Sequence, residues 1–293
     1  MRAAYESSKH KRSMRTPNIL VFDSGLGGLT VHDEVLRLRP NANYFYAADD
    51  AAFPYGRLAE QQVIERVVAV IEHLAATFVP DIVVIACNTA STLVLPHLRT
   101  RWPEIPFVGT VPAIKPAAEK SYTRLITVLA TPGTVARDYT QALIREHASH
   151  CRVELVGSEK LAGIAEDFMR GVQPDDDALI AELAPCFIQE DGAKTDEIVL
   201  ACTHYPLLLP HFLRLAGSRV GWAVDFIDPA PAIARRTDHV LSEHGFLHAT
   251  TVQETSGTAF FTSGATPDAS LQEILGRYGL TAVRKGSLAF EPA

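Results

Sequence analysis

A chain of 293 residues and 31.9 kDa, 47% of it hydrophobic, can bury one large core or two smaller ones. Its net charge of −7 and pI of about 5.9 argue against a general electrostatic attraction to nucleic acid or anionic membrane. No apolar run approaches the roughly 20 residues that span a bilayer.

Residues 1–16 carry Arg2, Lys9, Lys11, Arg12 and Arg15 but lack the apolar segment of a secretory signal, and read as a basic, flexible tail. Strand-like and helix-like segments then alternate, which points to an α/β fold with a mainly parallel sheet. Asn18 to Phe22 reads as a strand that breaks at Asp23-Ser24-Gly25-Leu26-Gly27-Gly28, and Thr30 to Leu38 as a helix stopped near Pro40. Ala42 to Ala47 is a second strand, and Leu58 to Phe78 carries helical periodicity that ends before Pro80. A buried-strand run leads to Cys87, followed by a helix near Ser91 to Thr100 and a short strand at Phe107-Val108. A related order recurs: a strand from Leu125 to Leu129, a helix to about His147, a strand from Arg152 to Val156, and two helical stretches within 161–189. A second cysteine strand and Val224 to Ile227 complete it.

The two cysteine phrases are near copies: Asp81-Ile82-Val83-Val84-Ile85-Ala86-Cys87-Asn88-Thr89 and Asp196-Glu197-Ile198-Val199-Leu200-Ala201-Cys202-Thr203-His204. Each ends in Ala-Cys and then turns polar, at the strand end where ligands of open parallel sheets gather. Ile19 to Gly25 also resembles Ile126 to Pro132, and Pro106 to Gly109 resembles Asp225 to Asp228. Three matched strand ends in one order imply two similar lobes related by a pseudo-two-fold axis. Cys87 and Cys202 would then face each other across one cleft. The expected division is 17–112 plus about 228–293 for the N-terminal lobe and 113–227 for the second.

Two thiols on either side of a bound carbon suit proton abstraction on one face and donation on the other. Both are expected just before a helix start, where N–H dipoles favour a thiolate. Asn88, Thr89 and Thr203 can hold a carboxylate, and His204 can exchange a proton on the Cys202 side. Plain helix capping and a surface His204 are the alternatives. Thr30 occupies the place of the last glycine in a dinucleotide fingerprint, so Gly25, Gly27 and Gly28 instead permit tight turning and close ligand approach. Asp23 is either an N-cap or a site carboxylate. Tyr55 and Gly56 either close over a polar ligand or form a simple turn. Cys151 and Cys186 read as structural. Four cysteines without a C-x-x-C pair indicate free thiols, a reducing cytoplasm and no metal.

The stretches VFDSGLGGLTV (21–31), FPYGRL (53–58), IACNTAST (85–92), GTVPAIKPA (109–117) and ACTHYPLL (201–208) together resemble the glutamate racemases of the aspartate/glutamate racemase superfamily. The resemblance spans roughly residues 17–230. It implies a cofactor-independent two-base mechanism, in which Cys87 takes the α-proton of D-glutamate and Cys202 that of L-glutamate. It also implies that Asp23-Ser24, Tyr55-Gly56, Asn88-Thr89 and Thr203-His204 contact the substrate, with Asp23 assisting Cys87 and His204 assisting Cys202. Glu166 resembles a further acid of the family, although Val156 to Lys160 lacks the Ala-Cys-Pro that precedes it there. Glutamate is the implied small-molecule partner, a homodimer is an implied assembly, and the implied role is D-glutamate for peptidoglycan. The competing readings are an aspartate or hydantoin racemase, a two-lobe carboxylate binder, and a redox or metal protein using Cys87 and Cys202.

Overall fold

The computed structural model describes residues 15–248 and 256–288, so Arg2, Lys9, Lys11 and Arg12 of the tail lie outside the described residues. Arg15, at the end of that tail, pairs with Asp81.

Strands β1 (Asn18–Asp23), β2 (Asn43–Ala48), β3 (Ile82–Ile85) and β4 (Phe107–Gly109) stand in the order β2-β1-β3-β4, all parallel. The second half holds β5 (Leu125–Ala130), β6 (Arg152–Gly157), a small antiparallel hairpin of β7 (Gln189–Glu190) and β8 (Ala193–Lys194), then β9 (Glu197–Ala201) and β10 (Asp225–Ile227). Its sheet runs β6-β5-β9-β10, again all parallel. The two orders are the same topology written twice, with β1 matching β5, β3 matching β9 and β4 matching β10. The repeat seen in the sequence is therefore a repeat of whole lobes.

Two strands that no sequence pattern indicated, β11 (Gly257–Phe261) and β12 (Leu280–Arg284), extend the first sheet past β2. Ala259, Phe260 and Phe261 are buried there. So short an apolar run carries no period of its own and takes its strand form from pairing with β2.

Eleven helices cover the sheets among the described residues: α1 (Leu29–Leu38), α2 (Glu60–Phe78), α3 (Asn88–Arg101), α4 (Ile114–Lys120), α5 (Pro132–Val135), α6 (Asp138–His147), α7 (Leu161–Met169), α8 (Asp176–Leu183), α9 (Leu209–Arg219), α10 (Ala230–Glu243) and α11 (Ala269–Arg277). α2 buries Val63, Val67, Val70, Ile71, Leu74 and Phe78, at the three- and four-residue spacing of one helix face, and packs beside α3. α1 packs against α10. β1 is central, and Ile19 to Phe22 are fully buried.

Two helix starts differ from expectation, and both bear on the site. α3 begins at Asn88, directly after Cys87, rather than near Ser91. Polar residues suit a first turn, whose N–H groups have no partner within the helix. Cys202 leads instead into a 3₁₀ turn over Tyr205–Leu208, and α9 begins only at Leu209. Pro206 and Pro210 lack the N–H groups of a regular helix, so the start there is irregular.

Candidate active site

Cys87 leaves the C-terminal end of β3 and caps α3, while Cys202 leaves the matching end of β9 in the other sheet. They are 6% and 7% exposed and line one cavity, together with Ser24, Tyr55, Asn88, Thr131 and His204. That cavity measures about 20 Å³, room for roughly one water. It must widen before a five-carbon amino acid can fit.

The surroundings of Cys87 keep its thiol protonated. Burial pushes the thiol up, the Asp23 carboxylate adds to this, and the Ala90 N–H and the Ser24 hydroxyl offset it only in part. The Ser24 oxygen lies 3.8 Å from the sulfur. Asp23 is itself raised, because burial outweighs His204, Thr203 and the Gly25 N–H, which all favour its charge. Its Oδ1 accepts the Gly25 N–H at 2.7 Å and its Oδ2 accepts the Thr203 hydroxyl at 2.8 Å. Asp23 therefore closes a turn and ties the two lobes together. It does not cap α1, whose start at Gly28 has no side-chain cap.

The Cys202 side is built differently. His204 Nδ1 lies 3.8 Å from the Cys202 sulfur and Nε2 lies 2.9 Å from Glu166 Oε1. Gly27 N is 3.3 Å from the same Nε2, but the carboxylate contact is shorter and makes Nε2 a donor. Burial opposes a charged ring here, yet the contacts with Cys202 and Glu166 and the field of Asp23 prevail and hold His204 well above the usual histidine range. Burial likewise works against the Glu166 carboxylate, but the bonds from His204 and the Leu26 N–H, with Arg170 nearby, bring it below its ordinary value. His204 thus sets a positive charge beside Cys202, where Cys87 has a negative one.

Glu166 reaches this position from α7. Ser158 fixes the start of that helix: its hydroxyl accepts the Leu161 N–H at 3.0 Å and donates to Glu182 at 2.7 Å. The glycine loop makes room for the ring and the acid. A Cβ on Gly25 would stand 2.2 Å from Glu166 Oε1, and one on Gly27 would stand 2.3 Å from His204 Nδ1. These glycines admit side chains of the opposite lobe.

Asn88 is 2% exposed, and neither its Oδ1 nor its Nδ2 has a partner among the described residues. A buried amide with both atoms unpaired is costly unless a ligand satisfies it. Thr89 reaches across the cleft to the Thr131 hydroxyl at 3.2 Å. Tyr55 lines the cavity with its hydroxyl committed, since it donates to Asp49, which also binds Arg66 through Nε at 2.9 Å. Gly56 lies on the same wall. Of the expected residues, Ser24, Tyr55, Gly56, Cys87, Asn88, Thr89, Cys202, Thr203 and His204 line one cavity, while Asp23 and Glu166 stand behind it, bonded to Thr203 and His204. Cys151 and Cys186 are not at the site, and Cys186 is fully buried.

Sequence reasoning misses Thr131 and Phe53. Thr131 takes, in the second repeat, the place of Ser24 in the first, so the repeat held the signal. Phe53 packs its ring 5.4 Å from that of His204, a contact between lobes that no local pattern reveals. No lysine lines the cavity, and no cluster of three or more His, Cys, Asp or Glu side chains among the described residues is arranged to hold a metal.

Residues 31–237 match the Asp/Glu/Hydantoin racemase family. A glutamate racemase of Brucella anthropi is 55% identical over 223 residues, covering 76% of this chain and 79% of the relative. One of Sinorhizobium medicae is 50% identical over 273 residues, covering 92% and 97%. The crystal structure of Escherichia coli glutamate racemase in complex with L-glutamate and the activator UDP-MurNAc-ala superposes with a TM-score of 0.83 at 38% identity, covering 93% of this chain and 99% of that one. With this match over most of its length and a repeated α/β lobe on each side of the paired cysteines, the chain belongs to the Asp/Glu/Hydantoin racemase family.

Proposed function

We propose that this chain interconverts L- and D-glutamate by proton transfer through Cys87 and Cys202, without a cofactor. One observation carries the reading: the two sulfurs leave matching strand ends of two sheets that share a four-strand order, and they border the same cavity. The glutamate racemases it resembles supply the substrate.

In the L-to-D direction Cys202, beside the His204 imidazolium, acts as the thiolate base and takes the α-proton. Cys87, held as a thiol, delivers its proton to the opposite face. One C–H bond breaks toward one sulfur as another forms from the other, so configuration inverts and the proton count is conserved. The α-proton is weakly acidic, and the N–H groups opening α3, with the unpaired Asn88 amide, support the substrate carboxylate as charge develops. After turnover the two cysteines have exchanged protonation. The Cys202–His204–Glu166 contacts give the proton a path away from the sulfur, and Arg170, 3.6 Å from Glu166, helps to keep that carboxylate ready to accept it. On the other side the charge of Asp23 helps Cys87 to hold its proton.

The lobes we assign are 17–112 plus about 228–293, and 113–227, supported by the pairing of β11 with β2. We place the reaction in the cytoplasm, as a source of D-glutamate for peptidoglycan. Among the described residues no helix is long and apolar enough to cross a membrane. Circular dichroism of L-glutamate incubated with the purified protein, without additives, tests the reading. Decay of the signal to zero supports it. Decay only with pyridoxal phosphate, or only with aspartate or a hydantoin, overturns it.

A further inference from the structure

The cysteine cavity borders a second, larger one. This outer cavity measures about 390 Å³ and shares Pro54, Gly56, Thr131 and Ala162 with the inner one, so the two are neighbours separated by those four residues. Arg57 lines it from the first lobe and Glu159 from the second. Both side chains are exposed.

The charged groups around it are matched in pairs. Arg137 binds Glu60, and Lys160 lies 3.5 Å from Glu182. Arg57 and Glu159 are the exceptions, since neither forms an ion pair among the described residues, with each other or with any third group. The outer cavity therefore presents one uncompensated cation and one uncompensated anion on opposite lobes. Few small molecules complement that arrangement as an amino acid does, with a carboxylate for the guanidinium and an ammonium for the carboxylate. The net charge of −7 would otherwise repel an anionic substrate, so a lone guanidinium at this mouth acts against the field of the whole protein.

We propose that this outer cavity is a separate binding subsite for a free α-amino dicarboxylate, where Arg57 takes a carboxylate and Glu159 the ammonium. The ligand is held there until Gly56 and Thr131, which close the wall between the two cavities, separate and admit it to the cysteines. The inference rests on glutamate being the substrate.

Steady-state racemisation by Arg57→Gln, Arg57→Lys and Glu159→Gln tests it, at low and at physiological ionic strength. Arg277→Gln, on α11, controls for net charge. Arg57→Gln is expected to raise KM roughly ten-fold at low salt, the low end of electrostatic steering, with kcat within about two-fold. The wild-type kcat/KM should fall as salt is added, and this dependence should flatten in Arg57→Gln but persist in Arg57→Lys and Arg277→Gln. Glu159→Gln should raise KM several-fold. Since neither side chain has a partner to lose, melting temperatures should match the wild type. Wild-type KM and salt dependence in Arg57→Gln, or a loss confined to kcat, would overturn the subsite, as would an unchanged KM in Glu159→Gln. Failure of the wild type itself to racemise glutamate would instead remove the proposed function.

Discussion

His204 Nε2 donates to Glu166 Oε1 at 2.9 Å, joining the turn after β9 to α7 against the glycine loop of the other lobe. The contact holds the imidazole up and the carboxyl down, so the pair is ionic at neutral pH. Glu166→Gln removes the charge that helps to keep His204 protonated. The alkaline limb of kcat/KM, where the imidazolium is lost, should therefore move to lower pH, with activity reduced about ten-fold at neutral pH. Enantiomers are equal in energy, so kcat/KM must fall equally in both directions. A pH–rate profile checks this, and an unmoved limb would show that Glu166 does not act through His204.

Each cysteine is needed for one half of the transfer. Cys87→Ser and Cys202→Ser should each lower racemisation roughly a thousand-fold or more, because a serine hydroxyl is a far poorer acid and base at neutral pH. Far-ultraviolet circular dichroism should remain native, since the swap keeps nearly the same volume at both buried positions. Full activity in either variant contradicts the pairing.

Two glycines should answer oppositely to alanine. At Gly27 a Cβ would meet His204 Nδ1 at 2.3 Å, so Gly27→Ala should displace the ring, cost about 1–3 kcal/mol and remove most activity. At Gly163, inside α7, nothing stands within 4 Å of the added carbon, and Gly163→Ala should gain about 0.5–1 kcal/mol. Urea titration and an activity assay on both variants separate the two cases.

His32 offers a test in the core of the first lobe. It is fully buried, its Nε2 donates to the Tyr278 carbonyl at 2.9 Å, and its Nδ1 has no partner among the described residues. Burial pushes it down to about 4, so the folded state favours the neutral ring. The unfolded chain binds the proton more readily. The stability His32 contributes is thus fully present above about pH 6.5 and is lost as pH falls toward about 4, by on the order of 3 kcal/mol. Melting curves across that window should show a steeper decline in the wild type than in His32→Phe.

The strand ends, both cysteines and the polar pairs after them were legible in the sequence because a repeat writes the same local pattern twice. The glycine loop was legible as a need for space, but not as space for His204 and Glu166. That contact joins residues whose local sequences share nothing, and it depends on how the lobes pack. Tyr55 shows a similar limit: its position beside the cavity follows from the motif, whereas the capture of its hydroxyl by Asp49 depends on the buried Arg66 of α2 and on Thr262 after β11. β11 and β12 were not legible, because β11 takes its form from pairing with β2 and β12 from pairing with β11.

The central claim, that two sulfurs on opposite faces share the work, is tested most directly by following the α-proton. L-glutamate incubated with the wild type in deuterated water, then chirally derivatised at an early time and examined by proton nuclear magnetic resonance, should yield D-glutamate carrying deuterium at Cα, while the remaining L-glutamate keeps its proton. D-glutamate that retains the original proton would show a single group serving both faces, and would contradict the account.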